Sequence, residues 1–341
     1  MTGPQANWLE DGRRLHLNHG PIDLIVEAFG DVAEVRAAYT QAVARFQTIL
    51  TELVEELPEL RRPAGSRPRA FAGPTGRRME RAVWPYAENF ITPMAAVAGS
   101  VADEVMAAML AGKTLQKAYV NNGGDSALHI AGGQEMRVAI AGTGHGFADR
   151  VTIRAEDPVR GVATSGWRGR SHSLGIADAV TVLARNAAAA DAAATVIANA
   201  VDLPGHPAIE RVPASSLSPD NDLGERLVTV GVGALSTGEV AEALDAGLAV
   251  AEDLRRRGLI HAAALFLGGE VAVTIDFQTL ALRNERAPSA SRPPSPFVTE
   301  KGKAPNLPPR FLSPGQGERW RAKRTGEGVI FAMHKKRGTH A

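Results

Sequence analysis

The 341-residue chain contains no cysteine. Disulfides, thiolate metal ligands, a thiol nucleophile and a lipid-modified N-terminal cysteine are excluded together. Aromatic residues are scarce at 5%, so the core must be built from aliphatic and alanine contacts, as in closely packed helix and strand layers. The nine histidines are scattered, and none lies in a His-Glu-x-x-His helix, so the pattern of a zinc hydrolase is missing. No uncharged apolar run reaches bilayer length, because Asp103, Glu104, Asp178 and Asp191 interrupt the alanine-rich stretches. The opening MTGPQANWLEDGRR lacks the apolar centre of a secretion signal. A cytoplasmic location without a membrane partner is the resulting expectation.

What is present is a body 44% hydrophobic and 22% charged across the chain, enough for a large core or two lobes. Net charge is +1, yet the last stretch, 300–341, holds ten Lys/Arg against three Glu, which leaves a net −6 for the remainder. From Asn284 to Gly315 there are eight prolines, followed by basic RWRAKR and HKKRGTH. The expectation is a single body over 1–283, with a split into two lobes near 205–225 as an option, and a disordered tail over 284–341. Nucleic-acid binding would rest on that tail alone and is disfavoured against a solvated tail.

Strand patterns at 14–19 and 22–28 surround Gly20-Pro21, and a helix is predicted from an Asp31 cap through Val35, Tyr39, Val43, Phe46 and Leu50. The arginine-rich stretch 61–78 reads as a solvated connector, or as a mobile basic flap over an anion. Pro93 opens a helix with a small-residue surface (Ala95, Ala98, Gly99, Ala102) that lets another backbone approach closely. Strands are expected near 136–141, 151–153, 161–166, 176–184, 226–233, 261–268, 270–276 and 279–282, with helices over 187–201 and 237–257. GTGHG at 142–146 is read as a turn, not a dinucleotide fingerprint. Because several strand pairs are hairpins, the expected class is α/β in the α+β layered sense, with a mixed sheet packed against helices.

Three polar sites interrupt this aliphatic chain. Lys117–Ile130 (KAYVNNGGDSALHI) places Asn121, Asn122, Gly123, Gly124 and Asp125 between alternating apolar residues. The glycines fit either a tight hairpin turn or a nest of backbone N–H groups that holds an anion. GVATSG supplies Thr164, Ser165 and Gly166, with His172 shortly after. In the alanine helix, Asp191 and Thr195 stand four residues apart on one face. They are a hard-oxygen pair suited to magnesium, or simply an acid favouring the helix dipole beside a filler threonine.

In this order, the small-residue helix ending in Asp103, VNNGGD, TSG with a following histidine, and A-D-A-A-A-T resemble the ApbE family of flavin transferases, and most closely its UPF-type branch in bacteria and archaea. The resemblance covers about residues 12–283. It implies binding of FAD/FMN with Mg²⁺, and transfer of FMN from FAD to a threonine or serine of an acceptor protein. By the same resemblance, Asn121, Asn122, Gly123, Gly124, Asp125, Thr164, Ser165 and Gly166 would line the nucleotide. Asp191 and Thr195 would hold the metal, while His172 and Asp191 would carry catalysis, His172 alternatively being structural. Two departures stand out: Ala98 occupies the position of the family's helix lysine, and the His-x-x-Asp-Pro-x-Thr-Gly segment is shortened to His172-Ser173-Leu174-Gly175. They keep open a flavin or nucleotide carrier without turnover, and the same fold serving another ligand in sulfur or one-carbon cofactor metabolism. A homodimer is compatible with all three.

Overall fold

A computed structural model describes residues 3–140 and 150–277. The expected turn at 142–146, the strand at 279–282 and the tail from Asn284 lie outside the described residues.

The chain opens with β1 (Gln5–Trp8), β2 (Leu15–His19) and β3 (Ile22–Gly30), an antiparallel meander turning at Gly20-Pro21. Helix α1 (Val32–Glu55) starts where Asp31 accepts the Ala33 N–H at 2.8 Å, and its 3.6-residue period buries Tyr39, Val43, Phe46 and Leu53. Short helices α2 (Leu57–Leu60) and α3 (Pro74–Val83) lead to a 3₁₀ turn, Pro93–Ala96, and to α4 (Val97–Leu110). β4 (Leu115–Asn122) and β5 (Asp125–Ile130) form the central hairpin, and β6 (Glu135–Ala139) pairs with β7 (Arg150–Arg154) as a separate ribbon. β8 (Gly161–Ser165), β9 (Ala179–Ala184) and α5 (Ala187–Ala200) follow. A second ribbon, β10 (Ile209–Pro213) and β11 (Leu227–Val232), encloses α6 (Ala214–Leu217). The described chain closes with α7 (Thr237–Arg256), β12 (Ala262–Leu267) and β13 (Glu270–Val273).

Nine strands form one sheet in the order β1-β2-β3-β4-β5-β8-β9-β12-β13, so strands from both sides of 205–225 share it. The layered α+β class holds. Where the sequence suggested mixed strand directions, every described pairing is antiparallel. The cause is the connections. Tight turns force antiparallel neighbours, and the two helical crossovers each carry a pair of main helices (α1 and α4 before β4, α5 and α7 before β12), which bring the chain back to the end of the sheet it left.

Side chains alternate across the sheet. In β12, Ala263, Leu265 and Leu267 face α5 and α7, while Ala262, Ala264 and Phe266 face the β6–β7 ribbon. Burial on both faces explains why β9 and β12 are apolar without alternation in their sequence. Pro93–Leu110 is long and apolar enough to cross a membrane, with mean hydropathy 1.3, but 61% of it is buried in this protein. Within it, Glu104 is bonded to Arg45 and Arg78, both at 2.8 Å.

Within 61–78 the connector reading holds for 61–73, which is largely exposed and without helix or strand, and the flap reading does not. The end of the stretch is the helix α3, and most of its arginines are engaged internally. Arg69 meets Glu80 at 2.7 Å, Arg78 meets Glu104, and Arg77 donates to the Phe71 and Ala72 carbonyls. Glu80 is only 2% exposed, so Arg69 neutralises a buried carboxylate instead of waiting for an anion.

Candidate functional site

The hairpin joining β4 and β5 turns through two residues, Gly123 at φ +64° and Gly124 at φ +125°. Both values lie where an L side chain is strained. The pleat then sorts the polar residues. Asn122 and Asp125 share the helix-facing side with Val120 and Ala127, whereas Asn121 faces the other way and donates to Ser126 at 2.8 Å. Asn122 Nδ2 donates to the Ala98 carbonyl at 3.1 Å, fixing the hairpin against the start of α4.

Asp125 sits where the sheet splays. β5 and β8 pair only at Ser126–Val162 and Ala127–Gly161, and further along the Thr164 N–H donates to Asp125 Oδ1 at 3.1 Å. The Thr164 hydroxyl is engaged elsewhere, at 2.9 Å from the Thr181 hydroxyl.

Across the crevice, α4 and α5 clasp each other's ends. Asp191 Oδ2 accepts the Gly99 N–H at 2.9 Å, and the Ala98 N–H also faces its carboxylate. In return, Asp103 accepts the N–H groups of Ala187 and Ala188 at 3.0 and 2.9 Å, and Asn186 accepts that of Ala189 at 2.8 Å. The two acids satisfy helix-end donors that would otherwise be orphaned. Such a crossing needs bare backbone: a Cβ at Gly99 would run into the Ala187 carbonyl, and one at Gly161 into Asn186.

The structure therefore gathers Asn122, Asp125, Gly123, Gly124 and Asp191 around one crevice, with the Thr164 amide. Thr195 lies one turn beyond Asp191, half-buried, its hydroxyl bonded to no described residue. Ser165 is half-buried at the end of β8, and Gly166 follows with φ +157° against the Asp178 carbonyl. His172 is exposed and bonded to no described residue, so the structure does not bring it to either carboxylate. Sequence reasoning missed Arg170, whose guanidinium lies over Gly123 so closely that a Cβ there would collide with it. Its one signal was a basic residue within the WRGRSH loop. A cavity of about 370 Å³ lies elsewhere, between α5 and α7, lined among others by Tyr86, Val196, Asp253 and Arg257.

The electrostatics are those of a site short of positive charge. Burial pushes the Asp125 carboxyl up to about 7, against the opposing Thr164 N–H and the Arg170 charge. Asp191 is driven well above the carboxylate range by burial and then by Asp125, while the Gly99 and Ala98 N–H groups oppose the rise. Asp103 is raised as well, by burial. A raised acid favours the folded state below its unfolded value of 3.8 and loses that contribution as pH rises through about 7. The metal-free protein is therefore expected to lose thermal stability between about pH 4 and pH 7, and Mg²⁺ is expected to flatten the curve. Thermal midpoints across that range with and without Mg²⁺ check this; a midpoint rising with pH in the absence of metal would sink it.

Among the described residues no three His, Cys, Asp or Glu side chains cluster as a metal site. The donors present nevertheless fit a hard cation that retains waters: the Asp191 carboxylate, the unbonded Thr195 hydroxyl and nearby backbone carbonyls. An Asp191 carboxyl raised by burial and by the nearby Asp125 gives a cation something to neutralise.

A family model described as AbpE bacteria matches residues 6–273. The chain belongs to that family. Archaeal relatives extend the ApbE-like assignment. A UPF0280 protein of Methanopyrus kandleri is 38% identical over 122 residues, covering 36% of this chain and 46% of the relative. A UPF0280 protein of Archaeoglobus fulgidus is 35% identical over 141 residues, covering 41% and 57%. The matches thus span about half the length of these relatives. Among solved structures, the ApbE protein of Thermotoga maritima aligns over 79% of this ApbE-like chain and 98% of its own, at 14% identity and TM-score 0.45. The flavinyl transferase ApbE of Pseudomonas stutzeri aligns over 82% and 98%, at 14% identity and TM-score 0.42.

Proposed function

We propose that this ApbE-like protein binds FAD in the crevice between the hairpin tip and the α4–α5 crossing, and transfers its FMN moiety to a threonine or serine hydroxyl of an acceptor protein. One observation carries the reading. Buried Asp125 and half-buried Asp191 lie close enough for one to raise the other, beside a diglycine turn, so carboxylate oxygens and backbone donors converge there. Asp191 and Thr195 would hold Mg²⁺, which when bound supplies neutralisation of pyrophosphate charge. The remaining chemistry belongs to the chain. Gly123 and Gly124 let the nucleotide approach the backbone, and Asn122 fixes the hairpin on α4. In the transfer, the acceptor oxygen bonds to the flavin-side phosphorus, the bridging P–O bond breaks, and AMP leaves with the bridging oxygen. Asp125, held near neutrality, is suited to take the hydroxyl proton.

A second reading, a flavin carrier without turnover, is favoured by two observations. Ala98 offers only backbone to the site, donating towards Asp191 and accepting from Asn122, and His172 stands apart in solvent. Incubation of the protein with FAD and Mg²⁺, followed by chromatography, separates the readings. AMP release that depends on Mg²⁺ is expected for the transferase. Tight FAD retention without AMP would make the protein a carrier, and absence of flavin binding would end both readings.

A further inference from the structure

The loop 166–178 is stapled at both ends and presents a cation at its tip. The Trp167 N–H donates to the Ala177 carbonyl at 3.0 Å, and Arg168 pairs with Asp178 while stacking on Trp167 at 4.5 Å. At the far side, the Leu174 N–H donates to Asn199 Oδ1 at 2.9 Å, and the Ser173 carbonyl accepts from Thr229 at 2.9 Å. Between these anchors Arg170 is exposed and makes no hydrogen bond or ion pair with any described residue. Most arginines nearby are committed: Arg168 to Asp178, Arg160 to the Ala155, Asp157 and Val159 carbonyls, Arg211 to Asp202.

Arg170 is also aimed. Its guanidinium covers Gly123, where any side chain would displace it. The Gly123 and Gly124 N–H groups of the same turn donate to no described residue. A guanidinium packed on Gly123, in a turn with two free backbone donors at positive φ, supplies the components of an oxyanion cradle, since Arg matches phosphate oxygens in a fork and the turn supplies fixed dipoles. On the α4 side of the crevice, the family's lysine position is occupied by Ala98, which leaves that wall without a side-chain cation.

We infer that Arg170, together with the Gly123 and Gly124 amides, forms the phosphate-binding cradle of this chain, a specificity-determining contact for a phosphorylated ligand made from the loop opposite α4. The inference deepens the flavin-nucleotide reading and rests on it for the ligand's identity, though not for its charge. Arg170 is exposed and Asp191 half-buried, so Arg170 would grip the anion from the solvent side, with Asp191 deeper in the fold. Riboflavin, which lacks phosphate, should be indifferent to the cradle.

The test uses the full chain with Mg²⁺ and three probes: FAD, inorganic pyrophosphate and riboflavin. Arg170→Ala is expected to weaken FAD and pyrophosphate by about ten- to a hundredfold, as loss of a charge-assisted contact does. Riboflavin affinity and the thermal midpoint should not move. Arg170→Lys should recover part of the affinity, and the salt dependence of pyrophosphate binding should fall in Arg170→Ala. Pyrophosphate binding that requires Arg170 in a protein that ignores FAD would support the cradle and discard the flavin reading. FAD and pyrophosphate affinities within about twofold of wild type in Arg170→Ala would overturn the cradle, as would a wild-type protein that binds neither.

Discussion

Asp191→Asn is expected to abolish Mg²⁺-dependent FAD binding and, in the absence of metal, to make the protein more stable at neutral pH. The two effects have opposite signs because Asp191 has two jobs. As an acceptor it satisfies the Gly99 N–H at 2.9 Å, and the asparagine carbonyl oxygen can do the same. As a charge it is buried near Asp125, which is why its pKa is raised, and asparagine removes that repulsion. The stability gain should appear as about 2–4 °C in thermal midpoint for each kcal/mol, measured above pH 7, where wild-type Asp125 is ionised. Binding should fall by more than about a hundredfold, since even outer-shell partners of metals cost 10–100-fold. Asp191→Ala would also lose binding, but it leaves the Gly99 amide unpaired and should be destabilised by about 1–3 kcal/mol. If Asp191→Asn retained wild-type FAD affinity, Asp191 would be a helix-end partner only.

Gly99→Ala is expected to destabilise the fold by about 3 kcal/mol or more, although alanine is the better helix former by roughly 0.5–1 kcal/mol. Gly99 lies in the first turn of α4, and a Cβ there would meet the Ala187 carbonyl and the Ala188 nitrogen, which are backbone atoms that cannot swing aside. Separation of α4 from α5 would pull the Gly99 amide from Asp191 and Asp103 from the Ala187 and Ala188 amides, so overpacking and lost hydrogen bonds add. Gly132→Ala, with open space around its Cβ, is the control and should change stability little. Urea denaturation of both variants decides the matter; a Gly99→Ala protein as stable as wild type would show that the crossing relaxes at no cost. FAD binding by the surviving folded fraction should also fall, because the same crossing positions Asp191.

Much of this arrangement was legible in the chain. Asp31 and Asn186 announced helix starts because a cap is a local matter, decided by a side-chain oxygen and an amide two or three residues on. The hairpin at Gly123-Gly124 was legible for the same reason, as was the i,i+4 relation of Asp191 and Thr195. Helix α3 was hidden within an arginine- and proline-rich stretch, because its stability comes from ion pairs to Glu80 and Glu104 that no local pattern reveals. The polar residues of the hairpin looked like one set in sequence. The pleat divides them, sending Asn121 to Ser126 and Asn122 to Ala98. Arg170 and Asp103 gave little sign of their places, since both act on elements far along the chain: Arg170 on a turn about fifty residues earlier, Asp103 on a helix more than eighty residues later.

By itself, then, the sequence determined most of the main elements, the absence of thiol chemistry and the layered class, while its ordered motifs carried the resemblance to the family. The elements, the chemistry excluded and the class follow from composition, periodicity and short-range hydrogen bonding, which are properties of neighbours along the chain. Only the tertiary structure decided that the sheet is antiparallel throughout, that α4 and α5 cap each other, and that Asp125 and Asp191 oppose one another in a crevice under Arg170. Those depend on which bare backbones can touch. Gly99 and Gly161 supply that contact, and burial then turns ordinary carboxylates into acids whose charge must be neutralised.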